Sequence, residues 1–276
     1  MKKIIYATDF SENSVAALKY AYHLGKLLNT DVIVLHVFDP DDLSQARSPE
    51  ERKQVLDHHT SRLQKFCSLN LNQNFEDLNL SLAVIKGENI SREILKYIKD
   101  INVLMVVLGA CGSGTVKEFF LGSTTKDMIS TSTIPLMAIP GNFEFRGIKK
   151  VMYTTDFEEE DIYHLCELLR ILAPIEFKIT VVHVTSQKEG DANDLMEWFK
   201  ELLFEKTNFP YFDFRILYSE DVLNSINNCL EEINADLLVM MEHKSKLAVQ
   251  SVLHRDLVKR MQSCTRVPLL SCKKMY

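Results

Sequence analysis

The sequence has no apolar run long enough to cross a membrane and no closely spaced cysteine pair. A spanning helix needs about 20 consecutive apolar residues, and zinc or redox motifs need cysteines a few residues apart. The six cysteines are scattered, which is typical of reduced thiols rather than a disulfide framework. A predicted strand begins two residues into the sequence, which leaves no room for a signal peptide. We therefore expect a cytoplasmic protein with no membrane partner.

Positive charge is also in deficit. The 32 Lys and Arg residues are outnumbered by 38 Asp and Glu residues, which gives a formal net charge of -6. Because protein surfaces that bind nucleic acids are basic, this charge balance argues against a nucleic-acid partner. The hydrophobic share of 46% and charged share of 25% are ordinary for a globular protein. A chain of 276 residues is long enough for about two domains.

Glycine is scarce, and four of the nine glycines fall within residues 109–122. The pattern is Gly109-Ala110-Cys111-Gly112, nine further residues, and then Gly122-Ser123-Thr124. It follows the apolar run 103–108, so it predicts a buried strand, a close-approach loop and a helix N-terminus. Helix N-termini present unpaired N–H groups to anions, so the loop is predicted to hold a phosphate. It lacks the lysine of a P-loop and the third glycine of a dinucleotide fingerprint. A surface loop with incidental glycines remains the alternative.

Short apolar runs alternate with helical patterns along the first half of the chain. Strands are predicted at residues 2–7, 32–37, 80–85, 103–108 and 134–139. Ser11 or Asn13 is expected to cap the first helix, and Ser48-Pro49-Glu50-Glu51 predicts a capping box opening a helix that runs to about Cys67. A further helix is predicted over residues 90–99. This alternation is that of a doubly wound α/β fold.

The sequence then repeats itself. Residues 149–184 align without a gap on residues 2–37, with eleven identities in thirty-six positions. Thr8-Asp9-Phe10 matches Thr155-Asp156-Phe157, and His36-Val37 matches His183-Val184. A linker is predicted at residues 141–147. The chain is therefore expected to contain two domains of the same fold, residues 1–145 and 146–276.

These motifs together resemble the universal stress protein family. The resemblance rests on the start Lys-Lys-Ile-Ile-Tyr-Ala-Thr-Asp-Phe-Ser, on Leu35-His36-Val37, on the G-x-x-G-x₉-G-[Ser/Thr] loop and on Ile134-Pro135-Leu136. It covers both halves and implies a tandem arrangement. Each domain would be a five-stranded parallel sheet of order 3-2-1-4-5 with helices on both faces. The fifth strands of the two halves would pair in an intramolecular pseudo-dimer, and a further homodimer stays open.

The resemblance also implies an ATP site, with or without Mg²⁺, in the first half. Asp9 would contact the ribose or adenine side, Val37 would line the adenine pocket and Gly109 would lie near the ribose. The phosphate contacts would come from Gly112, Gly122, Ser123 and Thr124. No glycine follows Gly190, and residues 241–246 and 254–256, which align with the loop, are mostly charged. ATP is therefore expected in the N-terminal domain only, in a regulatory stress-response module without catalytic residues or a metal site.

Two other functions remain open. One is a ligand-poor or lipid-binding scaffold, which is consistent with the loss of the glycine loop in the second half. The other is an enzyme of related architecture, an adenylyl transferase or ATP pyrophosphatase, although their characteristic loops and a paired acid and base are missing.

Several side chains have a structural alternative to a role in the site. Asp9 and Asp156 could each only cap a helix, and His36 and His183 are expected to be packed and hydrogen-bonded. His58 and His59 are adjacent on a helix, cannot share a face, and are both expected to be solvated. Lys126 would reach either a phosphate or solvent, and Cys111 is taken as incidental.

Overall fold

The fold was determined as a computed structural model, which describes residues 2–44, 46–110, 123–185, 192–242, 258, 260–261 and 265–273. The chain divides into two compact units, unit 1 (Met1–Phe145) and unit 2 (Arg146–Tyr276). Among the described residues, no helix is both long enough and apolar enough to cross a membrane.

Unit 1 alternates strands and helices along its whole length. Its elements are β1 (Lys3–Ala7), α1 (Glu12–Leu28), β2 (Val32–Phe38), α2 (Pro49–Leu71), β3 (Leu80–Lys86), α3 (Ile90–Ile98), β4 (Val103–Ala110), α4 (Ser123–Thr131) and β5 (Leu136–Pro140). Two short 3₁₀ helices, Pro40–Leu43 and Phe75–Asp77, lie within the connections.

All strand pairs of unit 1 are parallel, and their order is β3-β2-β1-β4-β5. The three central strands β2, β1 and β4 are mostly apolar and almost entirely buried, because both faces of a doubly wound sheet are covered. This confirms the predicted α/β fold and strand order. β4 is longer than predicted, since Gly109 and Ala110 still pair with Ile139 and Pro140 of β5.

Local sequence explains where the helices of unit 1 begin and end. The capping box at Ser48 is present: its hydroxyl accepts a hydrogen bond from Glu51 N–H at 3.1 Å, and Ser48 N–H donates to the Glu51 carboxylate at 3.3 Å. α2 continues past Cys67 to Leu71, where Asn72 in the left-handed region (φ 53°) ends it. Asn29 ends α1 in the same way.

Unit 2 repeats the pattern. Its described elements are β6 (Lys150–Thr154), α5 (Glu159–Ile171), β7 (Lys178–Thr185), α6 (Ala192–Lys206), β8 (Phe212–Tyr218), α7 (Val222–Ile233), β9 (Leu237–Glu242) and β10 (Leu269–Lys273). The strands are parallel in the order β8-β7-β6-β9-β10, which matches that of unit 1. Trp198, the single tryptophan of the chain, lies on α6 with 41% of its surface exposed.

Candidate functional site

The carboxyl ends of β1, β2 and β4 lie at one edge of the unit 1 sheet. β1 is hydrogen-bonded to β2 on one side and to β4 on the other. From the neighbours β1 and β4 the sheet grows in opposite directions, and ligands of open α/β sheets bind outside such a switch point. Asp9 follows β1, Val37 is the second-last residue of β2 and Gly109 is the second-last residue of β4. The structure therefore brings these three predicted residues to one crevice.

Hydroxyl groups hold the turn after β1 in place. Phe10 N–H donates to Thr8 Oγ1 at 3.0 Å, and the Thr8 hydroxyl donates to Ser14 Oγ at 3.0 Å. The Tyr6 hydroxyl donates to the Ser14 carbonyl oxygen at 2.6 Å. Phe10 has φ 65°, a conformation that bulky residues rarely adopt. The turn is thus tied to the first turn of α1, which fixes the position of the intervening Asp9.

Asp9 organises this turn rather than capping the helix directly. Its Oδ1 accepts a hydrogen bond from Ser11 N–H at 3.0 Å, and Ser11 is the N-cap residue of α1, with no side-chain cap bond of its own. Asn13 lies inside the helix. In unit 2 the N-cap is Glu158, two residues beyond Asp156. Neither aspartate is itself the N-cap residue of its helix, and Asp9 is exposed at the crevice.

Gly109 has a packing reason to be a glycine. A β-carbon at this position would lie 3.0 Å from the carbonyl oxygen of Asn13 and 3.3 Å from Cα of Ser14. Both are backbone atoms of α1 and cannot rotate away. The absence of a side chain therefore lets α1 approach β4, which is a requirement independent of any ligand.

The N-terminus of α4 lies at the end of β4. Thr125, which is buried, donates from Oγ1 to the Gly109 carbonyl oxygen at 3.4 Å. Ser123 and Thr124 occupy the preceding positions of the helix, where N–H groups have no partner within the helix. Ser91 on α3 donates to the Asp127 carboxylate at 2.8 Å and steadies the helix from the other side. Lys126 is exposed one residue beyond Thr125.

Three of the residues singled out in the glycine pattern cannot be placed. Gly112 and Gly122, the predicted phosphate contacts, lie outside the described residues, as does Cys111. The two ends of the loop, at Ala110 and Ser123, are described, and the hydrogen bond from Thr125 to Gly109 joins them.

An aromatic and basic wall borders the crevice on the β2 side, and the sequence reasoning missed it. The Phe10 ring lies 4.3 Å from the His36 ring and 5.4 Å from the Phe66 ring on α2. The guanidinium of Arg62 sits over Phe10 at 4.2 Å. His36 Nδ1 lies 2.9 Å from the Thr8 carbonyl oxygen, which confirms the prediction of a packed, hydrogen-bonded histidine. Arg62 therefore places a positive charge beside the turn that carries Asp9.

His59 corrects the prediction that both adjacent histidines are solvated. His58 is exposed, but only 6% of His59 is exposed, and its ring stacks on Phe38 at 4.4 Å. His59 Nε2 lies 3.1 Å from the Asp42 carboxylate. Burial lowers the pKa of His59, and the Asp42 charge only partly opposes this effect. Burial likewise lowers the pKa of His36.

Unit 2 repeats the turn with a different anchor. Phe157 has φ 58°, its N–H donates to Thr155 Oγ1 at 2.8 Å, and His183 Nδ1 lies 2.8 Å from the Thr155 carbonyl oxygen. The position of Ser14 is taken by Asp161, which is fully buried. The Asp161 carboxylate accepts hydrogen bonds from the Thr155 hydroxyl at 2.6 Å and the Tyr153 hydroxyl at 3.1 Å. Burial, reinforced by the Asp161 charge, raises the pKa of Tyr153 well above its usual value.

The second-half counterpart of the glycine loop is mostly outside the described residues. Residues 243–257 and Lys259 are not placed, so His243, Lys244, His254 and Arg255 cannot be located. β9 is described as far as Glu242 and pairs there with β10.

Unit 1 is, by strand order and crevice, a doubly wound α/β domain with a helix N-terminus at its switch point. The model of the Universal stress protein family matches residues 1–140. The chain is 30% identical over 152 residues to the universal stress protein MJ0577 of Methanocaldococcus jannaschii, covering 50% of this chain and 94% of that protein. It is 27% identical to the universal stress protein YxiE of Bacillus subtilis, covering 50% of this chain and 97% of YxiE.

A full-length similarity is found in structure. The crystal structure of a universal stress protein from Archaeoglobus fulgidus matches 99% of this chain and 98% of that chain, with a TM-score of 0.68 and 18% identity. At that identity the match speaks for the fold alone. Because the family model covers half of the chain, the protein belongs to the universal stress protein family.

Proposed function

We propose that unit 1 binds ATP in the crevice between β1 and β4 and acts as a regulatory nucleotide-binding module. The observation that carries the proposal is the hydrogen bond from Thr125 to Gly109, because it sets the N-terminus of α4 beside the Asp9 turn. The positive end of the helix dipole and the hydroxyls of Ser123 and Thr124 suit a phosphate chain. The carboxylate of Asp9 suits a ribose hydroxyl, and Val37 an adenine face.

Gly112 and Gly122 would complete the phosphate contacts. Their part of the proposal rests on the sequence spacing, since a backbone without a β-carbon can approach a phosphate closely. Mg²⁺ would be held by the nucleotide phosphates, as is usual for this ion. No protein residue is proposed as catalytic, and the protein is proposed to sense ATP rather than to turn it over at ordinary enzyme rates of about 1 s⁻¹ or more.

We further propose that each chain binds one nucleotide. The aligned segment of unit 2 has lost every glycine, and Glu242 ends the strand that corresponds to β4. Without glycine, every residue of that segment carries a β-carbon, which opposes a close approach of the backbone to a phosphate. Unit 2 would keep the fold without the nucleotide site, as fold and site are separable.

Calorimetric titration of the full chain tests both statements. ATP should bind with a stoichiometry near one, more tightly than GTP or cAMP, the ligand held by one solved universal stress protein. Gly122→Val should abolish binding because its side chain would enter the phosphate position. Ser123→Ala should weaken binding by less than about tenfold, since the backbone donors remain.

Gly87→Ala is the matched control for loss of a glycine. The nearest atoms to a β-carbon at Gly87 belong to the Glu93 side chain, which would have to shift. Gly87 is not part of the proposed site, so ATP affinity should be unchanged. Two ATP molecules per chain would refute the proposal of one nucleotide per chain, and full affinity in Gly122→Val would refute the proposed site. A purified protein that binds no adenine nucleotide would favour the ligand-poor scaffold.

A further inference from the structure

β8 forms one end of the unit 2 sheet, and among the described strands its only neighbour is β7. Two hydrogen bonds show which residues of β8 direct their backbone N–H and C=O groups toward β7. Ile179 N–H donates to the Tyr211 carbonyl at 3.0 Å, and Ser219 N–H donates to the Thr185 carbonyl at 2.8 Å. In a strand the N–H and C=O of one residue point to the same side, and the sides alternate along the chain. The odd-numbered residues of β8 thus bond to β7, and the even-numbered residues present their backbone groups at the outer edge.

The side chains of these edge residues form an aromatic surface. Phe212 and Phe214 lie 6.1 Å and 6.3 Å from the ring of Phe204, which is 49% exposed. Tyr218, at the end of the strand, is 50% exposed. Aromatic residues are enriched where proteins associate, and an exposed apolar edge strand is an association site unless it is covered. β3, the corresponding strand of unit 1, reads LSLAVIK and contains no aromatic residue.

The opposite face of β8 carries two charges of opposite sign. Asp213 and Arg215 lie 3.3 Å apart, and Arg215 also pairs with Glu232 on α7 at 2.7 Å. These charges flank Phe214 symmetrically along the strand. A strand with this arrangement is complementary to an antiparallel copy of itself.

We propose that two copies of the chain associate through β8, antiparallel, with the twofold axis at Phe214. Even-numbered residues must face even-numbered residues of the partner, because they alone offer backbone groups at the edge, and odd-numbered residues then face odd-numbered ones. Among registers near the centre of the strand, an axis at Asp213 sets two aspartates opposite each other, and an axis at Arg215 sets two arginines opposite each other. An axis at Phe214 sets Asp213 opposite the partner's Arg215, twice. Like charges directly opposite destabilise a strand pair, so charge selects this register.

The same register makes the aromatic surface continuous. Phe214 faces the partner's Phe214, and Phe212 faces the partner's Ile216, so the apolar edges cover each other. Phe214 N–H, which donates to its neighbouring Asp213 Oδ1 at 3.1 Å, would exchange that bond for the partner's carbonyl oxygen. The occupant is therefore a second copy of the chain rather than an unrelated peptide.

Sedimentation equilibrium of the full chain tests the proposal over roughly 1–100 μM, the range of a moderate dimer. The unaltered protein should be a dimer at the upper end. Asp213→Arg and Arg215→Asp should each raise the dissociation constant at least about tenfold, because each places like charges opposite each other at both ends of the pair. The double variant Asp213→Arg/Arg215→Asp should restore dimerisation to within about threefold.

Mixing the two single variants separates association between chains from damage within one chain. An equimolar mixture should form a heterodimer, since two arginines then face two aspartates, although neither chain has regained its own ion pair. Ser81→Arg on β3 is the matched control, because Ser81 precedes Leu82 as Asp213 precedes Phe214 in the aligned registers; it should leave the dimer intact. A monomeric wild-type protein, a dimer indifferent to both reversals, or failure of the mixture to associate would each overturn the proposal.

Discussion

At the scale of single residues, Gly109 has a packing role in the structure that is separate from the ligand contact predicted for it. The spacing of the glycine loop predicts a close approach of ligand to backbone. The structure adds a close approach of α1, whose Asn13 carbonyl would lie 3.0 Å from a β-carbon at this position. The sequence predicts a ligand contact at Gly109, but it could not reveal the contact with α1, since that contact depends on how closely a distant helix packs.

Gly109→Ala should destabilise unit 1 by about 1–3 kcal/mol, the usual cost of overpacking a rigid site. Chemical denaturation of the full chain measures the change. Gly87→Ala is the comparison: its new β-carbon crowds the Glu93 side chain, which can change rotamer, and not the backbone of a packed helix, so it should cost less than Gly109→Ala. Equal stability of the two variants would show that α1 moves at no cost.

His59 shows a residue-scale error that periodicity could have prevented. Because His58 and His59 are adjacent on a helix, their side chains point in different directions, but this does not show which of them is buried. His59, Leu63 and Cys67 are the buried residues of α2 and are spaced four apart, which is the spacing of one helix face. Counting back from the two apolar members would have turned His59 inward. The pairing with Asp42 arises from a short 3₁₀ helix and has no signal in α2 itself.

The stability of unit 1 should decrease as the pH falls below about 6.5, the usual pKa of histidine. Burial lowers the pKa of His36 and of His59 in the folded state, so the unfolded chain binds more protons below that pH. Arg62 adds to the effect, while Asp42 beside His59 and Asp9 near His36 oppose it. The contribution is complete above pH 6.5 and is lost as the pH falls toward the lowered values.

Unfolding free energies measured between pH 5 and 8, the range in which histidine titrates, test this. His59→Gln should flatten the pH dependence, whereas the same change at exposed His58 should leave it nearly unaltered. An identical slope in wild type and His59→Gln would show that His59 is protonated equally in both states.

At the scale of elements, the unit of strand, left-handed phenylalanine turn and helix occurs twice with different anchors. Identities at Thr8-Asp9-Phe10 and Thr155-Asp156-Phe157 let the sequence predict the repetition. They did not predict that the serine hydroxyl of one copy becomes a buried carboxylate in the other, because position 14 and position 161 are not identical and the pattern does not show burial. The end of α2 was also not predicted: the helix runs past Cys67 to Leu71 and is ended by Asn72 in the left-handed region.

Asp161→Ala should destabilise unit 2 by about 2–4 kcal/mol, because it removes the buried carboxylate to which the Tyr153 and Thr155 hydroxyls donate. Asp161→Ser, which installs the unit 1 residue, should cost less. Thermal unfolding monitored by circular dichroism gives both values. If the alanine variant were as stable as the serine variant, the carboxylate would be irrelevant to the turn.

At the scale of the whole molecule, the two halves share a fold but differ in the residues at the candidate site. The ungapped repeat sufficed to predict that the two halves share one fold. The strand order came from the resemblance to the universal stress protein family, because the same alternation of strands and helices is compatible with more than one order. The site could be predicted only at the ends of strands and at the first turn of α4. Its Arg62 and Phe66 wall comes from the middle of α2, where only the fold reveals which residues reach the crevice.

ATP should therefore change hydrogen exchange in one half of the chain. Added protection is expected in peptides that contain the Asp9 turn, the end of β4 and the first turn of α4. Peptides from β6 and β9 should exchange at the same rate with and without ATP. Equal protection at the Asp156 turn would indicate a second nucleotide site.

The position of Trp198 has an optical consequence. Because it is the only tryptophan and belongs to α6, selectively excited emission from the chain originates in unit 2 alone. Unit 1, where ATP is proposed to bind, has no tryptophan and contributes only tyrosine fluorescence. Tryptophan emission, at wavelengths longer than the tyrosine band, should therefore stay constant while ATP saturates unit 1. A quenched or shifted tryptophan spectrum would show that ATP binding in unit 1 changes the surroundings of Trp198 in unit 2.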